Sequence, residues 1–343
     1  MKKGWFYSIG LALSLAGAHT ASRAADCGDT TGLGGTRVAC ACGDTVTTNT
    51  KLKNTDPVVS TSLVDTCSGD GLVIEVSNVT LDCAKFALRG DNTSADNGVV
   101  VSDTDGVTVK RCTISGFGTG IAVEYSTEFT IDNNTLQDNG EGVVVESGIA
   151  SSGDFGTIQN NTVQNSEVGI DLIETSSNTV KNNKVSNTSA DIAIQDNVSQ
   201  ANVVTNNQVE DSEFGIAVVF GARQNTITNN RAKNNFIGVL IGFFDLDGSD
   251  NNVVAGNRAD QNGIGIAVLT NNNLVNANLG SANEFDGLAV VDGTGNSVSN
   301  NVFNNNGGHG VCADPDNLNV GGNAGHGNLT PPDVTFAGGC TFF

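Results

Sequence analysis

Short aliphatic segments alternate with polar residues along most of the chain, and the spacing of these segments repeats. A glycine followed by an aliphatic, a small and a second aliphatic residue recurs every 22 to 27 residues, at Gly98, Gly120, Gly142, Gly169, Gly215, Gly238, Gly265, Gly287 and Gly310, with Asp191 in the glycine position once. Apolar residues alternate with period two inside each segment, which is typical of short β-strands. A repeat of this length predicts a solenoid of stacked coils.

Asparagine marks a second position in each repeat. One column, three residues after an aliphatic residue, contains Asn134, Asn161, Asn183, Asn207, Asn230, Asn257, Asn278 and Asn301, and another lies five residues earlier at Asn178, Asn202, Asn225, Asn252, Asn273 and Asn296. Asparagine tolerates turn conformations, and its amide can bond to the same amide one coil further on. The pattern predicts three short strands per coil, parallel sheets with a coil rise of about 4.8 Å, and a thin aliphatic core.

These repeats resemble the right-handed parallel β-helix of the carbohydrate-binding and sugar-hydrolase superfamily, which includes NosD-like and pectate-lyase-like proteins. The resemblance covers roughly residues 70 to 312, and the segments that begin at Cys42, Gly69 and Thr80 look like the cap of many exported members. It implies an all-β, single-stranded right-handed parallel β-helix of about ten coils, capped at both ends. The fold leaves the activity open, because it hosts lyases, hydrolases, epimerases, adhesins and inert scaffolds.

The first residues have the features of a secretory signal peptide. Lys2 and Lys3 precede an apolar stretch from Ile9 to Ala18, and Ser22 and Ala24 supply small residues for cleavage. We therefore expect a signal peptide at 1–24, a disulfide-rich N-terminal cap at 25–75, the β-helix at 76–312 and a C-terminal cap or tail at 313–343. The localisation that follows is secreted or periplasmic.

The charge and the cysteine content of the chain limit the classes of partner that it can bind and the compartments in which it can reside. The 343 residues include 16 Lys and Arg against 37 Asp and Glu, a net charge of -21, and removal of 1–24 takes away three cations and no acid. Such a surface disfavours nucleic acid, and no later apolar run has the length of a membrane span. The eight cysteines predict disulfides, and Cys40 and Cys42 are interpreted as part of a disulfide cluster rather than a metal site.

Basic residues cluster at one position of the repeat. The residues just after the first asparagine column, and two further on, are expected to face solvent, and they include Lys184, Arg231, Lys233 and Arg258. Three coil steps span about 15 Å at strand spacing. Because Arg matches carboxylate geometry, this stripe predicts binding of a uronate-like polyanion. The alternative is that the cations pair with acids such as Glu210 and Asp260 on a solvated face.

Two coils have insertions, at Glu146 to Asp154 and at Gly242 to Asn251. The second contains Asp245, Asp247 and Asp250, which makes calcium the one cofactor the sequence suggests, although the loop lacks the glutamate of an EF-hand. A solvated turn is the alternative interpretation.

Aromatic residues occur in the same insertion. Phe243 and Phe244, with Phe220 one coil earlier, are interpreted either as a platform on which a sugar ring stacks or as packing of the loop onto the coil. With the basic stripe they form the predicted substrate-binding residues.

The third position of the Gly-aliphatic strand faces outward and is mostly small and apolar. Asp171 is the one carboxylate there and is expected to be solvated or bonded to a turn, so no carboxylate pair for glycoside hydrolysis is recognised and no catalytic residue is assigned. The hypothesis is therefore an exported protein that recognises an extracellular, anionic polysaccharide, with processing of that polymer left open. The alternatives are a non-catalytic surface or adhesin-like scaffold and a polysaccharide lyase or glycoside hydrolase.

Overall fold

The strands stack into a parallel β-solenoid with three sheets. A computed structural model describes residues 26–28, 36–61, 66–93, 95–147, 153–243, 248–337 and 340, and these residues form strands and turns but no helix. The predicted signal peptide lies outside the described residues. Within them, no helix long and apolar enough to cross a membrane is found.

Among the described residues, sheet 1 has fourteen strands, and most of them are the predicted Gly-aliphatic strands. Its strands are Asp26–Cys27, Asp44–Val46, Leu72–Ile74, Asn97–Ser102, Thr119–Glu124, Glu141–Glu146, Val168–Ile173, Ala190–Gln195, Phe214–Val219, Ile237–Ile241, Ile264–Val268, Leu288–Val290, Val311–Ala313 and Val334–Thr335. The sequence predicted about ten coils. The additional strands, Asp26–Cys27, Asp44–Val46, Leu72–Ile74 and Val334–Thr335, lie towards the two ends, and pairing therefore continues into both predicted caps.

Sheets 2 and 3 complete each coil with strands of two to four residues. Sheet 2 contains Thr50–Lys51, Thr80–Asp82, Thr108–Lys110, Thr130–Asp132, Thr157–Gln159, Thr179–Lys181, Val203–Thr205, Thr226–Thr228, Val253–Ala255, Leu274–Asn276, Ser297–Ser299 and Leu318–Gly321. Sheet 3 contains Ala87–Arg89, Thr113–Ser115, Thr135–Gln137, Thr162–Gln164, Lys184–Ser186, Gln208–Glu210, Arg231–Lys233, Arg258–Asp260, Leu279–Ser281, Val302–Asn304 and Ala324–His326.

Successive coils pair in register. Ile121 of sheet 1 pairs with Val143, which pairs with Ile170 in the next coil, and the equivalent positions of sheets 2 and 3 behave in the same way. Inward side chains such as Ile131 and Leu136 are fully buried and form one continuous core. Glycine recurs at the start of the sheet 1 strands because a Cβ at Gly142 would clash with Val163 and with the carbonyl oxygen of Gly169.

Buried asparagines link the coils at each turn. Asn207 Nδ2 donates to Asn230 Oδ1 (3.0 Å) and to the Val180 carbonyl (2.9 Å), while its own Oδ1 accepts from the N–H and the Nδ2 of Asn183. The second predicted column forms the same kind of ladder, for example from Asn273 to Asn296. Both columns predicted from the sequence therefore superimpose, and each satisfies backbone groups that the turn would otherwise bury without a partner.

A third ladder joins sheet 3 to sheet 1 and was not recognised in the sequence. It runs through Asn235, Asn262, Asn283, Asn306 and Asn328. The same position in earlier coils is occupied by Asn139, Ser166, Thr188 and Ser212. This mixture of residue types hides the column from a search for repeated asparagine.

Disulfides close the two ends of the solenoid. The described cysteines pair as Cys27–Cys40, Cys42–Cys67, Cys83–Cys112 and Cys312–Cys340, so Cys40 and Cys42 belong to disulfides as predicted. The first asparagine column begins at Asn134, and Cys83 and Cys112 lie in the two coils before it. The Cys112 N–H donates to Asn134 Oδ1. The third disulfide thus continues that ladder with a covalent bond.

The ladder predicts a large difference between neighbouring asparagines. Asn207→Ala leaves the Val180 carbonyl and the N–H of Asn183 without their partners, and we expect roughly 3 kcal/mol of destabilisation. Asn206→Gly is the matched control, because Asn206 is exposed and has φ 56°, a conformation that glycine adopts freely. Denaturant unfolding would measure both, and equal stabilities would contradict the structural role of the ladder.

Candidate functional site

The predicted basic residues form two adjacent files on the outside of sheet 3. Arg231 pairs with Gln208 on one side and with Arg258 on the other, and Lys184 pairs with Gln208. The side chains of the file Lys184, Gln208, Arg231 and Arg258 are all exposed. Lys233 belongs to the neighbouring file, between Glu210 and Asp260. We call the four cations the basic stripe.

Two members of the basic stripe have acidic partners. Lys184 Nζ lies 2.8 Å from Glu210 Oε1, which raises the pKa of the lysine, and Arg258 forms an ion pair with Asp260. Arg231 and Lys233 have no ion pair with any described residue. They line a cavity of about 180 Å³ together with Gln208, Val209 and Glu210. The structure thus brings the predicted cations together and leaves two of them available to an anionic ligand.

The residues of the second insertion are only partly described. Phe243 packs on Phe214 in an edge-on arrangement, with ring centroids 6.3 Å apart, and on Phe220 at 6.4 Å. Phe220 remains 43% exposed, so a surface for stacking exists beside Phe243. Phe244 lies outside the described residues, and a sugar platform there stays a prediction.

The calcium prediction also stays untested. Asp250 Oδ1 accepts from the backbone N–H (2.8 Å) and Nδ2 (3.3 Å) of Asn271, whereas Asp245 and Asp247 lie outside the described part of the chain. No group of three or more His, Cys, Asp or Glu that could hold a metal ion occurs among the described residues.

The outer face of sheet 1 has two different halves. In the C-terminal half, outward side chains such as Phe214, Ile237, Leu240, Ile264 and Ala267 are at most 6% exposed. They form a second hydrophobic cluster outside the core, against which Phe243, Phe285 and Cys340 pack. The apolar column that the sequence placed on the outside does face outward, but it is buried.

The N-terminal half of the same face carries carboxylates. Glu141 and Glu146 lie at the two ends of one strand, Glu124 pairs with Glu146 from the preceding strand, and Asp171 lies opposite Val144 in the following strand. We call Glu124, Glu141, Glu146 and Asp171 the acidic surface. Burial raises the pKa of all four carboxyl groups, and for Glu124 and Glu141 the charge of Glu146 raises it further.

Asp171 is the most perturbed member of the acidic surface. It is only 2% exposed, and burial, followed by the charge of Glu141, raises its pKa to about 8 despite the hydrogen bonds from Gln195 and the Leu172 backbone. Gln195 Nε2 donates to Oδ2 at 2.6 Å, whereas Oδ1 has no hydrogen-bond partner among the described residues. The expectation of a solvated or turn-bonded Asp171 was therefore wrong. At neutral pH this side chain is mainly a neutral carboxylic acid.

The acidic surface was not predicted from the sequence, for a geometrical reason. Asp171 is the one carboxylate at the outward third position of the Gly-aliphatic strands. Glu124 and Glu146 share a different position, at the end of the strand, and Glu141 a third position at its start. The sequence does contain a signal for the acidic surface, because Glu141 and Glu146 lie at the two ends of the strand that precedes the strand of Asp171.

Comparison with known proteins places the chain in a structural class. The sequence matches the family described as "Right handed beta helix region" over residues 97–244. No functionally curated protein has significant similarity to the sequence. With the three-sheet solenoid described above, this match shows that the chain has the right-handed parallel β-helix fold.

Solved structures share the fold at low sequence identity. The A-module of a mannuronan C-5 epimerase from Azotobacter vinelandii superimposes with a TM-score of 0.59 at 14% identity, covering 86% of this chain and 85% of that chain. The catalytic domain of a GH87 α-1,3-glucanase gives 0.56 at 14% identity, with 86% of this chain and 62% of that one covered. Dettilon tailspike protein gives 0.56 at 14% identity, with 83% and 62% covered.

The pKa of Asp171 predicts how stability depends on pH. Its value is raised from 3.8 in the unfolded chain to about 8 in the folded protein, so wild-type stability falls as pH rises from about 4 to 8. Asp171→Asn removes this titration. We expect the variant to gain about 2 kcal/mol or more over wild type at pH 8.5, and little at pH 3.5. Thermal unfolding at several pH values would measure the difference, and a gain independent of pH would contradict the assignment.

Proposed function

We propose that the protein is exported and recognises an extracellular, anionic polysaccharide along the basic stripe. The observation that carries the proposal is the exposed file of Lys184, Gln208, Arg231 and Arg258, which presents one outward side chain per coil over four successive coils. A linear polymer lying along the solenoid axis meets these side chains at intervals of about 4.8 Å.

Charge at the stripe supports an anionic ligand. The four cations face two carboxylates, those of Glu210 and Asp260, and the guanidinium of Arg231 can bind a carboxylate through two parallel hydrogen bonds. The rest of the protein is strongly acidic. A polyanion would therefore be repelled by most of the surface and directed to this file.

The structural neighbours and the cysteines support the class of ligand and the compartment. An epimerase of mannuronan and an α-1,3-glucanase have the same fold, and both names refer to polysaccharides. Disulfides such as Cys83–Cys112 persist in oxidising compartments, which agrees with a signal peptide at 1–24.

The proposal predicts loss of binding when the stripe is neutralised. Arg231→Ala combined with Arg258→Ala should weaken binding of an oligogalacturonate by at least tenfold, because two charge-assisted contacts are removed. Lys85→Ala combined with Arg223→Ala removes the same charge from two exposed residues outside the stripe and should leave the affinity nearly unchanged. Calorimetry with both variants would decide, and unchanged binding in the stripe variant would reject an anionic ligand at this site.

A second candidate function is glycoside hydrolysis at the acidic surface. The neutral Asp171 carboxyl lies beside Glu141 and Glu146, and two carboxyl groups whose pKa values differ are the usual acid and base of this reaction. In this role Asp171 would donate a proton to the leaving oxygen, and Glu141 or Glu146 would act as the base or nucleophile.

Catalysis can be tested separately from binding. A panel of neutral and charged glycans would be assayed for new reducing ends, and Asp171→Asn should lower any such activity by at least about 100-fold. Glu284→Gln, which changes an exposed carboxylate in a distant turn, is the control. The absence of product from every glycan would favour the non-catalytic scaffold.

A further inference from the structure

The acidic surface has no basic partner. No strand of sheet 1 contains Lys, Arg or His, and no basic side chain contributes to the pKa of Glu124, Glu141, Glu146 or Asp171. The residues after Asp26 that the structure does not describe contain none of these three residue types in their sequence. From Asp26 onward, no cation of the chain is therefore placed to compensate the charge of this surface.

An unsatisfied polar atom lies within the same surface. Asp171 Oδ1 is buried and has no hydrogen-bond partner among the described residues, whereas Oδ2 accepts from Gln195. A buried carboxyl oxygen without a donor is costly, and such groups require an explanation. A ligand that carries positive charge would relieve the repulsion between the carboxylates, and its ammonium group could donate to Asp171 Oδ1 once this carboxyl has released its proton.

An exposed aromatic ring borders the surface. Tyr125 follows Glu124 directly, is 55% exposed and has φ 49°, a conformation in which bulky residues are rare. The backbone N–H of Tyr125 donates to the Glu146 carbonyl at 2.9 Å, which fixes the main chain of Tyr125 at the end of the strands that carry Glu124 and Glu146. A sugar ring can stack on such a side chain while its substituents reach the neighbouring strands.

We propose that the acidic surface, with Tyr125 at its edge and Gln195 beside Asp171, is a second binding site that takes an oligosaccharide bearing ammonium groups, such as a glucosamine oligomer. Ammonium groups would interact with Glu141 and Glu146, a donor would reach Asp171 Oδ1, and a pyranose ring would stack on Tyr125. A bound divalent metal fits less well, because no three described carboxylates converge as metal ligands. The proposal requires neither polyanion binding at the basic stripe nor catalysis at Asp171.

The site can be tested by calorimetry with two matched probes. A glucosamine hexamer carries ammonium groups, and the N-acetylglucosamine hexamer has the same backbone without charge. We expect the glucosamine hexamer to bind at least tenfold more tightly at low salt, with an affinity that falls as salt rises. Equal affinity for the two oligomers would overturn the proposal, because recognition would then not depend on the ammonium groups.

Variants locate the site on the protein. Glu141→Gln with Glu146→Gln should weaken glucosamine hexamer binding by at least tenfold. Glu284→Gln with Asp316→Asn removes the same charge from two exposed acids elsewhere and should change it less than twofold. Tyr125→Ala should weaken the hexamer and leave hexalysine binding unchanged. Hexalysine binding as tightly as the hexamer, or equal loss in both double variants, would overturn the assignment of an amino-sugar site here.

Proton release gives a readout that a purely structural role would not produce. A bound cation lowers the pKa values of nearby carboxyls, so binding at pH 7 should release protons, measurable in buffers of different ionisation heat. The titratable groups that act on Asp171 are Glu141 and Glu146 from the preceding strand, whereas the following strand places Ala193 opposite Asp171. Asp171→Asn should reduce the number of protons released on binding. The midpoint of thermal unfolding should show that this variant is still folded. Binding without any proton release in wild type would contradict direct contact with these carboxyls.

Discussion

The register between successive coils is the constraint on which the rest of this protein depends. Parallel backbone hydrogen bonds fix the spacing of the coils, and the buried amide of each ladder asparagine, such as Asn207, fixes their lateral position. A shift by one residue would turn inward aliphatic side chains towards solvent and break every amide pair at once. The ladder therefore stabilises the fold and selects one alignment of the coils.

Because the coils are in register, outward side chains at equivalent positions of successive repeats form continuous surfaces. A residue type repeated at one position becomes a file along the solenoid, as Arg231 and Arg258 show on sheet 3. Sheet 1 shows the same effect with two kinds of side chain. Its outer face changes from the acidic Glu141 and Asp171 to the apolar Phe214 and Leu240 within a few coils. Such a protein can carry surfaces of opposite charge on different faces without a change of fold.

Burial and like charge act together on the acidic surface. Neither Glu141 nor Glu146 is fully buried, yet the pKa of each is raised, because the sheet removes solvent from one side and the neighbouring carboxylates add repulsion. Asp171 experiences both effects most strongly. The destabilisation expected at high pH is typical of a functional site, where groups are held in an unfavourable state that a ligand can relieve.

From the sequence alone, the all-β class, the parallel coils, two asparagine ladders and the file of Lys184, Arg231 and Arg258 could be predicted, because each depends on a period along the chain. The disulfide pairing, the third ladder and the acidic surface could not. Glu124, Glu146 and Asp171 occupy different positions of the repeat, and their proximity arises only when neighbouring strands are placed side by side. The burial of Asp171 likewise depends on the neighbouring strands of sheet 1 between which it lies, for which a periodic pattern contains no signal.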